Sequence, residues 1–437
     1  MTDHTLDCYS DLDWRGLVSD ATDPDRIRAM LAPGQLTTAY CGFDPTADSL
    51  HVGSLVPILA LARLQRAGHR PIAVAGGATG LIGDPSGKSK ERNLLDRDQL
   101  DANVLGIKAQ LSRFLDFDRR PNGALLVDNH DWLGPFSLLD FLRDTGKHFT
   151  VNYMLAKDSV KTRIGERETG NAGISFTEFS YMLLQAQDFL HLFESEGCAL
   201  QIGGSDQWGN ITAGIELIRR TVGGEAFGLT FPLVTTASGQ KFGKTEHGTV
   251  WLSAERTSPF AFYQFFVRTD DRDVERYLKY FTFLGRDELT ALAALVTEQP
   301  ERREAQKRLA REVTTLVHGE EATRSAEAGT NLLYGGSVDA IAEADLLAAT
   351  ADLPHAEVPE PFGESRGAVE LFALSGLCSS NGDARRALEQ GALYVNNTRL
   401  PGERDARVSA ERLLFGRYLL LRKGKRDYFL YRFEVGA

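Results

Sequence analysis

Between Leu36 and about Gly228 the chain alternates short apolar runs with longer amphipathic ones, and this alternation restricts its fold more than any other feature. Leu36-Thr-Thr-Ala-Tyr-Cys-Gly-Phe43 reads as a strand, Ser54 to Ala67 as a helix ended by Gly68, and Pro71-Ile-Ala-Val-Ala75 as a strand closing on Gly76-Gly77. Strand, helix and strand in that order form a crossover unit, so the two strands run parallel. The expected class is α/β, a Rossmann-like parallel sheet. Leu125-Leu-Val-Asp128 and Ala199-Leu-Gln-Ile202 read as further strands, with Ile211 to Thr221 as the helix after the second. The mainly helical stretch between them, about 129–195, is long enough to be an insertion between two halves of the sheet.

A chain of 437 residues exceeds one ordinary core, and its 42% hydrophobic content can build several. After Pro232 the pattern turns helical: Ser258 to Val267, Asp273 to Tyr280, Asp287 to Thr297 and Glu301 to His318. Residues 351–365 have linker composition, rich in proline and acidic residues with little apolar period. Beyond them the order is helix, helix, then short strands. The expected domains are thus 1–230, the Rossmann-like sheet with its insertion; 231–350, helical; 351–365, linker; and 366–437, small and α+β.

Net charge is −11, yet residues 366 to 437 carry thirteen Lys or Arg against eight Asp or Glu, leaving −16 for the rest. Any nucleic-acid contact is expected to be local to this tail. Cys8, Cys41, Cys198 and Cys378 are far apart and form no C-x-x-C pair, which argues for reduced thiols and against a cysteine-based zinc site. No run of eighteen apolar residues occurs, and the N-terminus is acidic where a signal or transit peptide would be basic. A cytoplasmic protein with no membrane partner is expected.

Several segments can carry chemistry. Tyr40-Cys-Gly-Phe-Asp-Pro-Thr46 ends the first strand, and His51-Val-Gly-Ser54 opens the next helix. Ligands of open parallel sheets sit at the carboxyl ends of strands, where a helix start offers free N–H groups to phosphate. Gly42 and Gly53 would let backbone approach a nucleotide, and Thr46 and His51 can donate to phosphate oxygens. The glycine-rich turn Gly76 to Lys88 does not fit a Walker A loop, being one residue short from Gly83 to Lys88; Asp84 in it could meet a cationic group. Tyr181, Gln185 and Asp188 stand at i, i+4 and i+7, on one helix face. Gly203-Gly-Ser-Asp-Gln-Trp-Gly-Asn210 follows a strand directly, and its Asp206 could accept from a ribose hydroxyl. Lys241-Phe-Gly-Lys-Thr245 lies between turn signals, so a mobile exposed loop is expected; two lysines about a glycine can close over a triphosphate.

In this order and spacing, from about residue 35 to the C-terminus, the set resembles the bacterial tyrosyl-tRNA synthetases, class I enzymes. His51-Val-Gly-Ser54 stands at the family's HIGH motif, with Ser54 replacing its second His, and Lys241-Phe-Gly-Lys-Thr245 at its KMSKS motif. The resemblance implies L-tyrosine, ATP and tRNA(Tyr) as substrates. Magnesium would arrive with ATP, and no protein-bound metal is expected. It places Tyr40 and Asp188 at the tyrosine phenol, Asp84, Tyr181 and Gln185 at its ammonium, and Gln207 by its carboxylate. It places Cys41, Gly42, Asp44, His51, Gly53, Ser54, Asp206 and Lys244 at ATP, with Thr46, His51, Lys241, Lys244 and Thr245 assisting departure of pyrophosphate. The tail resembles an S4 RNA-binding domain, which puts Arg385, Arg386, Arg422, Lys423, Lys425 and Arg426 toward tRNA. The family is homodimeric through the insertion. Three other readings stand beside this one: a tryptophan-specific synthetase, which would have no obvious use for the Tyr40 and Asp188 pair, a non-catalytic RNA-binding paralogue, and a related small-molecule nucleotidyltransferase, which would not need the S4-like tail.

Overall fold

The computed structural model describes residues 7–86, 96–118, 120–157, 160–161, 173–245, 248–338, 341–351 and 353–434. Most of the N-terminal acidic segment, part of the helical insertion and the end of the glycine-rich turn at Gly87 and Lys88 lie outside them. Two compact units result, one of Met1–Thr257 with Thr269–Leu309, the other of Ser258–Arg268 with Ala310–Ala437.

The first unit is built on a six-stranded sheet of β1 (Asp20–Ala21), β2 (Thr38–Phe43), β3 (Arg70–Ala75), β4 (Leu125–Asp128), β5 (Cys198–Gly204) and β6 (Phe227–Phe231). The strand order is β1-β6-β5-β2-β3-β4, all pairs parallel except β1 with β6. The expected crossover unit is present: α1 (Leu55–Arg66) joins β2 to β3 and ends before Gly68, whose φ of +98° no β-carbon favours. Nearly every side chain of α1 from Leu55 to Leu64 is buried, as expected for a helix sandwiched between a sheet and further helices. The order of strands reverses between β5 and β2, so their carboxyl ends diverge and leave a crevice.

Helix α2 (Phe176–Glu196) comes out of the insertion, capped by Ser175, whose side chain accepts from Glu178 N, and stopped by left-handed Gly197. It packs along α3 (Trp208–Val222), the helix after β5, and their apolar faces share a core with Tyr40, Ile72 and Val74 of the sheet.

The expected helices after Pro232 are present. Their allegiance differs from the expected domain at 231–350: α4 (Pro259–Val267) belongs to the second unit, whereas α5 (Asp271–Phe281) and α6 (Arg286–Glu298) belong with the parallel sheet. Side chains distant in sequence, above all Arg15 and Arg63 on the carbonyls that end α5, decide this, and no local pattern reports them.

The second unit contains α7 (Glu320–Leu333), α8 (Glu343–Thr350) and a five-stranded sheet, order β9-β8-β10-β11-β7, of β7 (His355–Val358), β8 (Leu393–Val395), β9 (Thr398–Arg399), β10 (Tyr418–Lys423) and β11 (Asp427–Phe433). Along β10, Leu419 and Leu421 enter one core with α9 (Ala368–Leu374) and α10 (Asn381–Glu389), while Leu420 enters another with Leu332 and Leu346 of α7 and α8. Covering on both faces explains why Tyr418-Leu-Leu-Leu421 is apolar without alternation. Residues 351–365 are not simply a linker, because β7 pairs parallel with β11 from His355 to Val358. Pro354 and Pro359 flank it, as an edge strand tolerates. The hairpin from β8 to β9 turns on Asn396 and Asn397, φ +48° and +60°, and Asn397 Nδ2 caps α7 by donating to Leu332 O at 2.7 Å.

Candidate active site

A cavity of about 530 Å³ opens at the carboxyl ends of β2 and β5. Cys41, Gly42, Asp44, Thr46, His51, Gly53, Ser54, Asp84, Tyr181, Gln185, Asp206, Gln207 and Lys241 all line it. Segments spread over two hundred residues of chain therefore meet at one place, because parallel strands deliver all their carboxyl ends to one edge.

Tyr40 and Asp188 do not line the wall; they are 1% and 4% exposed. Asp188 accepts from Trp132 Nε1 at 2.8 Å and from Asn129 Nδ2 at 3.0 Å. Burial pushes its carboxyl up to about 7, against the pull of those two donors. Among the described residues the Tyr40 hydroxyl has no hydrogen-bond partner. A buried hydroxyl without a partner costs about 1–3 kcal/mol.

From Asp188 a polar chain runs to the mouth of the cavity. Asn129 Nδ2 also donates to Thr79 Oγ1 at 3.0 Å, Thr79 Oγ1 donates to Asp44 Oδ1 at 2.9 Å, and Tyr181 Oη donates to Asp44 Oδ2 at 2.9 Å. A second group centres on Asp84, whose Oδ2 accepts from Gln207 Nε2 at 2.7 Å; Asn210 Nδ2 donates to Gln185 Oε1 at 3.1 Å. Asp44, Asp84 and Asp206 give the cavity negative character, which suits an ammonium. Burial first, and the Asp84 charge next, raise the Asp206 carboxyl. Burial raises the Cys41 thiol to about 12, so it stays neutral.

The spacing in His51-Val-Gly has a geometric cause. His51 Nδ1 accepts from Gly53 N at 3.0 Å, an N-cap onto the short turn Val52–Ser54 that leads into α1. An accepting Nδ1 leaves the ring proton on Nε2. A β-carbon on Gly53 would sit 2.8 Å from His51 Cε1, so only glycine lets the imidazole fold back this closely.

The loop Lys241–Thr245, expected to be exposed and mobile, exposes both Lys241 and Lys244 and is anchored between them. Phe242 and Gly243 are buried, Val250 N donates to Gly243 O at 3.0 Å, and Val52 N donates to Val250 O at 3.0 Å. Residues 250–252 thereby join it to the His51 turn. Lys241 reaches the cavity; Lys244 is exposed and does not line it, and the Thr245 backbone pairs with Gly248. In the tail, Arg385, Arg386, Lys425 and Arg426 are exposed. Arg422 and Lys423 are engaged internally: Arg422 lies 3.9 Å over Tyr394, and Lys423 Nζ meets Asp383 Oδ2 and Leu377 O at 3.0 Å. They hold the fold together, a role that a basic turn seen only as sequence does not reveal.

Sequence reasoning missed Thr79, Asn129, Trp132 and Asn210. Asn129 was within reach, since it follows a strand whose carboxyl end obeys the same rule applied to β2 and β5. Asn210 was quoted as the end of a turn and given no role.

Residues 34–335 match the family model described as tRNA synthetases class I (W and Y), and 345–431 match the tyrosine–tRNA ligase SYY-like C-terminal domain. Tyrosine–tRNA ligases of Bacillus caldotenax and Geobacillus stearothermophilus are each 54% identical over 431 residues, 98% of this chain and all of the relative. The structure resembles a C-terminally truncated mitochondrial tyrosyl-tRNA synthetase of Aspergillus nidulans, with TM-score 0.67, 32% identity, and coverage of 75% of this chain and 94% of that one. A tryptophanyl-tRNA synthetase of Encephalitozoon cuniculi shares the fold at TM-score 0.53 and 14% identity, covering 77% of this chain and 89% of its own. Fold alone thus leaves the amino acid open, whereas identity over the whole length does not: this chain belongs to the bacterial tyrosyl-tRNA synthetases, class I aminoacyl-tRNA synthetases.

Proposed function

We propose that the protein attaches L-tyrosine to tRNA(Tyr) in two steps. A tyrosine carboxylate oxygen attacks the α-phosphorus of Mg-ATP, the bond to the bridging oxygen breaks, and pyrophosphate leaves tyrosyl-adenylate behind. A terminal ribose hydroxyl of tRNA then attacks the carbonyl carbon, loses its proton, and expels AMP. The protein supplies no nucleophile; it aligns the reactants and stabilises charge as it develops.

The observation that carries this reading is the buried pair at the closed end of the site. A substrate phenol can donate to Asp188 and accept from the Tyr40 hydroxyl, while Asp84, Tyr181 and Gln185 suit the ammonium and Gln207 the carboxylate. His51 and Thr46 on one wall and Lys241 on the other suit the phosphates, with Lys244 and Thr245 adjoining; magnesium comes as part of the nucleotide substrate. Amino-acid-dependent exchange of pyrophosphate into ATP tests the reading: exchange with tyrosine alone is expected, and exchange with tryptophan, or none, would overturn it.

The homodimer belongs to the same reading. Leu138 and Leu139, 69% and 77% exposed, together with Leu142, Val151 and Phe176, give the insertion an exposed apolar content. A second copy of the chain would cover it. Leu139→Glu should therefore shift the protein from twice the chain mass to once, read by sedimentation equilibrium; an unshifted dimer would place the interface elsewhere. Arg385, Arg386, Lys425 and Arg426 are the basic side chains left to meet tRNA phosphates from the S4-like tail. Among the described residues no helix is long and apolar enough to cross a membrane. A cytoplasmic location goes with this reading, since the bacterial relatives charge tRNA for ribosomes that stand in the cytoplasm.

A further inference from the structure

Lys241 enters the cavity from a hairpin in which Thr235 bridges to Lys241 and Thr236 N donates to Gln240 O at 2.8 Å. The hairpin is gripped by α5. Asp273, 2% exposed, accepts from Ala237 N at 2.8 Å through Oδ2. Arg276 Nη2 and Tyr277 Oη both donate to Thr235 O, and Arg276 Nη2 also holds Asp273 Oδ1 at 2.7 Å. Phe242, the neighbour of Lys241, packs edge-on to Tyr277 and stacks on Phe281, ring centroids 4.8 and 5.1 Å apart. Residues 273, 277 and 281 follow at i, i+4 and i+8, so the whole grip comes from one helix face.

The other end of α5 is tied to the helix that begins at the His51 turn. Arg63 of α1 donates to Lys279 O, Tyr280 O and Thr282 O at 3.2, 3.2 and 2.7 Å, and Arg15 donates to Leu284 O at 2.9 Å. Burial lowers the Arg63 guanidinium to about 9, which leaves it charged near neutral pH, as the carbonyls that end a helix prefer. One helix therefore spans the two sides of the cavity, with the start of α1 on one and the lysine-bearing hairpin on the other.

We infer that α5 is the brace that sets the separation of the two phosphate-facing walls, and that Asp273 is a positioning residue for Lys241 in adenylate formation. The inference rests on the reaction proposed above. Misplacing a reacting group by about 1 Å can cost on the order of 10²-fold in rate. Asp273→Ala should accordingly lower kcat of tyrosine-dependent pyrophosphate exchange by roughly 10- to 10²-fold, with KM for tyrosine held within about twofold, because none of the side chains assigned to tyrosine lies on the hairpin or on α5. In a Lys241→Ala background the same change should do almost nothing, since the group being positioned is gone. Limited trypsin digestion should cut faster after Lys241 in Asp273→Ala, a readout independent of catalysis.

Tyr277→Phe, which removes one hydroxyl and keeps the packing, should show a smaller fall of about fivefold and guards against a misfolded alanine variant. Unchanged kcat in both variants would overturn the brace, as would an equal fall in the Lys241→Ala background or a matching rise in the tyrosine KM. Wild-type protein without tyrosine-dependent exchange would instead overturn the reaction itself, so the two failures are distinguishable.

Discussion

Asp188→Asn is expected to raise activation of phenylalanine relative to tyrosine by roughly 10³-fold, measured as the ratio of kcat/KM for the two amino acids in pyrophosphate exchange. Tyrosyl-tRNA synthetases reject phenylalanine by about 10⁵-fold without editing, because a pocket built to hydrogen-bond a phenol leaves its own polar groups unpaired around a benzene ring. In this protein we propose Tyr40 and Asp188 as those groups. The Tyr40 hydroxyl has no partner among the described residues, and Asp188 sits between Asn129 and Trp132 with its carboxyl raised to about 7. A substrate hydroxyl satisfies the first and donates to the second, favouring the carboxylate; phenylalanine does neither. Asparagine at 188 turns an acceptor pair into one acceptor and one donor, so the phenol loses its charged partner while Asn129 and Trp132 lose theirs in part. A ratio within tenfold of wild type would remove Asp188 from the phenol site.

The same substitution should affect stability with the opposite sign. A carboxyl raised in the folded state from 3.8 to about 7 keeps a proton through a window in which the unfolded chain has released it. Raising the pH through that window therefore weakens the fold, and above it the native protein bears a buried carboxylate that costs a few kcal/mol. Asp188→Asn removes this cost. Its melting temperature should exceed that of wild type near pH 8, and the gap should close as pH falls toward 4. Discrimination and stability then conflict at one residue, as at sites where binding requires a group the fold would rather bury paired.

How much of this was legible in the sequence follows from the range over which each signal acts. The β2, α1, β3 unit was readable because its apolar period and its stop at Gly68 are local. The rule that ligands gather at carboxyl ends of parallel strands then collected Asp44, Asp206 and the His51 turn with no knowledge of their distances. The partners of Asp188 were not readable in this way. Nothing near Trp132 indicates that its indole would donate to a residue 56 positions later. The Lys241 loop was legible only in part: flanking turn signals suggest exposure, which Lys241 and Lys244 have, but nothing local reports the aromatic face of α5, more than thirty residues on, that holds Phe242. Arg422 has a second role that its charge alone does not reveal. Its charge suggested phosphate, but its cross-strand neighbours in β8 and β11 are Tyr394 and Tyr428, so cation–π stacking holds it on the sheet.

His51→Ala should lower kcat for tyrosine activation by roughly 10² to 10³-fold with little change in the tyrosine KM, as expected on losing one donor aimed at charge that develops only in the transition state. The geometry complicates the reading of such a variant, because His51 is also an N-cap: its Nδ1 accepts from Gly53 N, and removing a cap costs about 1 kcal/mol. A fall in activity could then reflect a frayed turn. His51→Asn separates the two roles. Asparagine is among the preferred N-cap residues and can offer its side-chain oxygen to the Gly53 amide, but it is shorter and has no ring Nε2 to present to phosphate. The asparagine variant should thus melt close to wild type while its kcat stays near that of alanine. Ser54 sharpens the expectation, since where the family motif has a second histidine this chain has a hydroxyl, leaving His51 as the imidazole donor on that wall. An asparagine variant with wild-type kcat would show that the turn needs only its cap, and the work of stabilising the leaving pyrophosphate would then fall to Thr46 and the lysine hairpin.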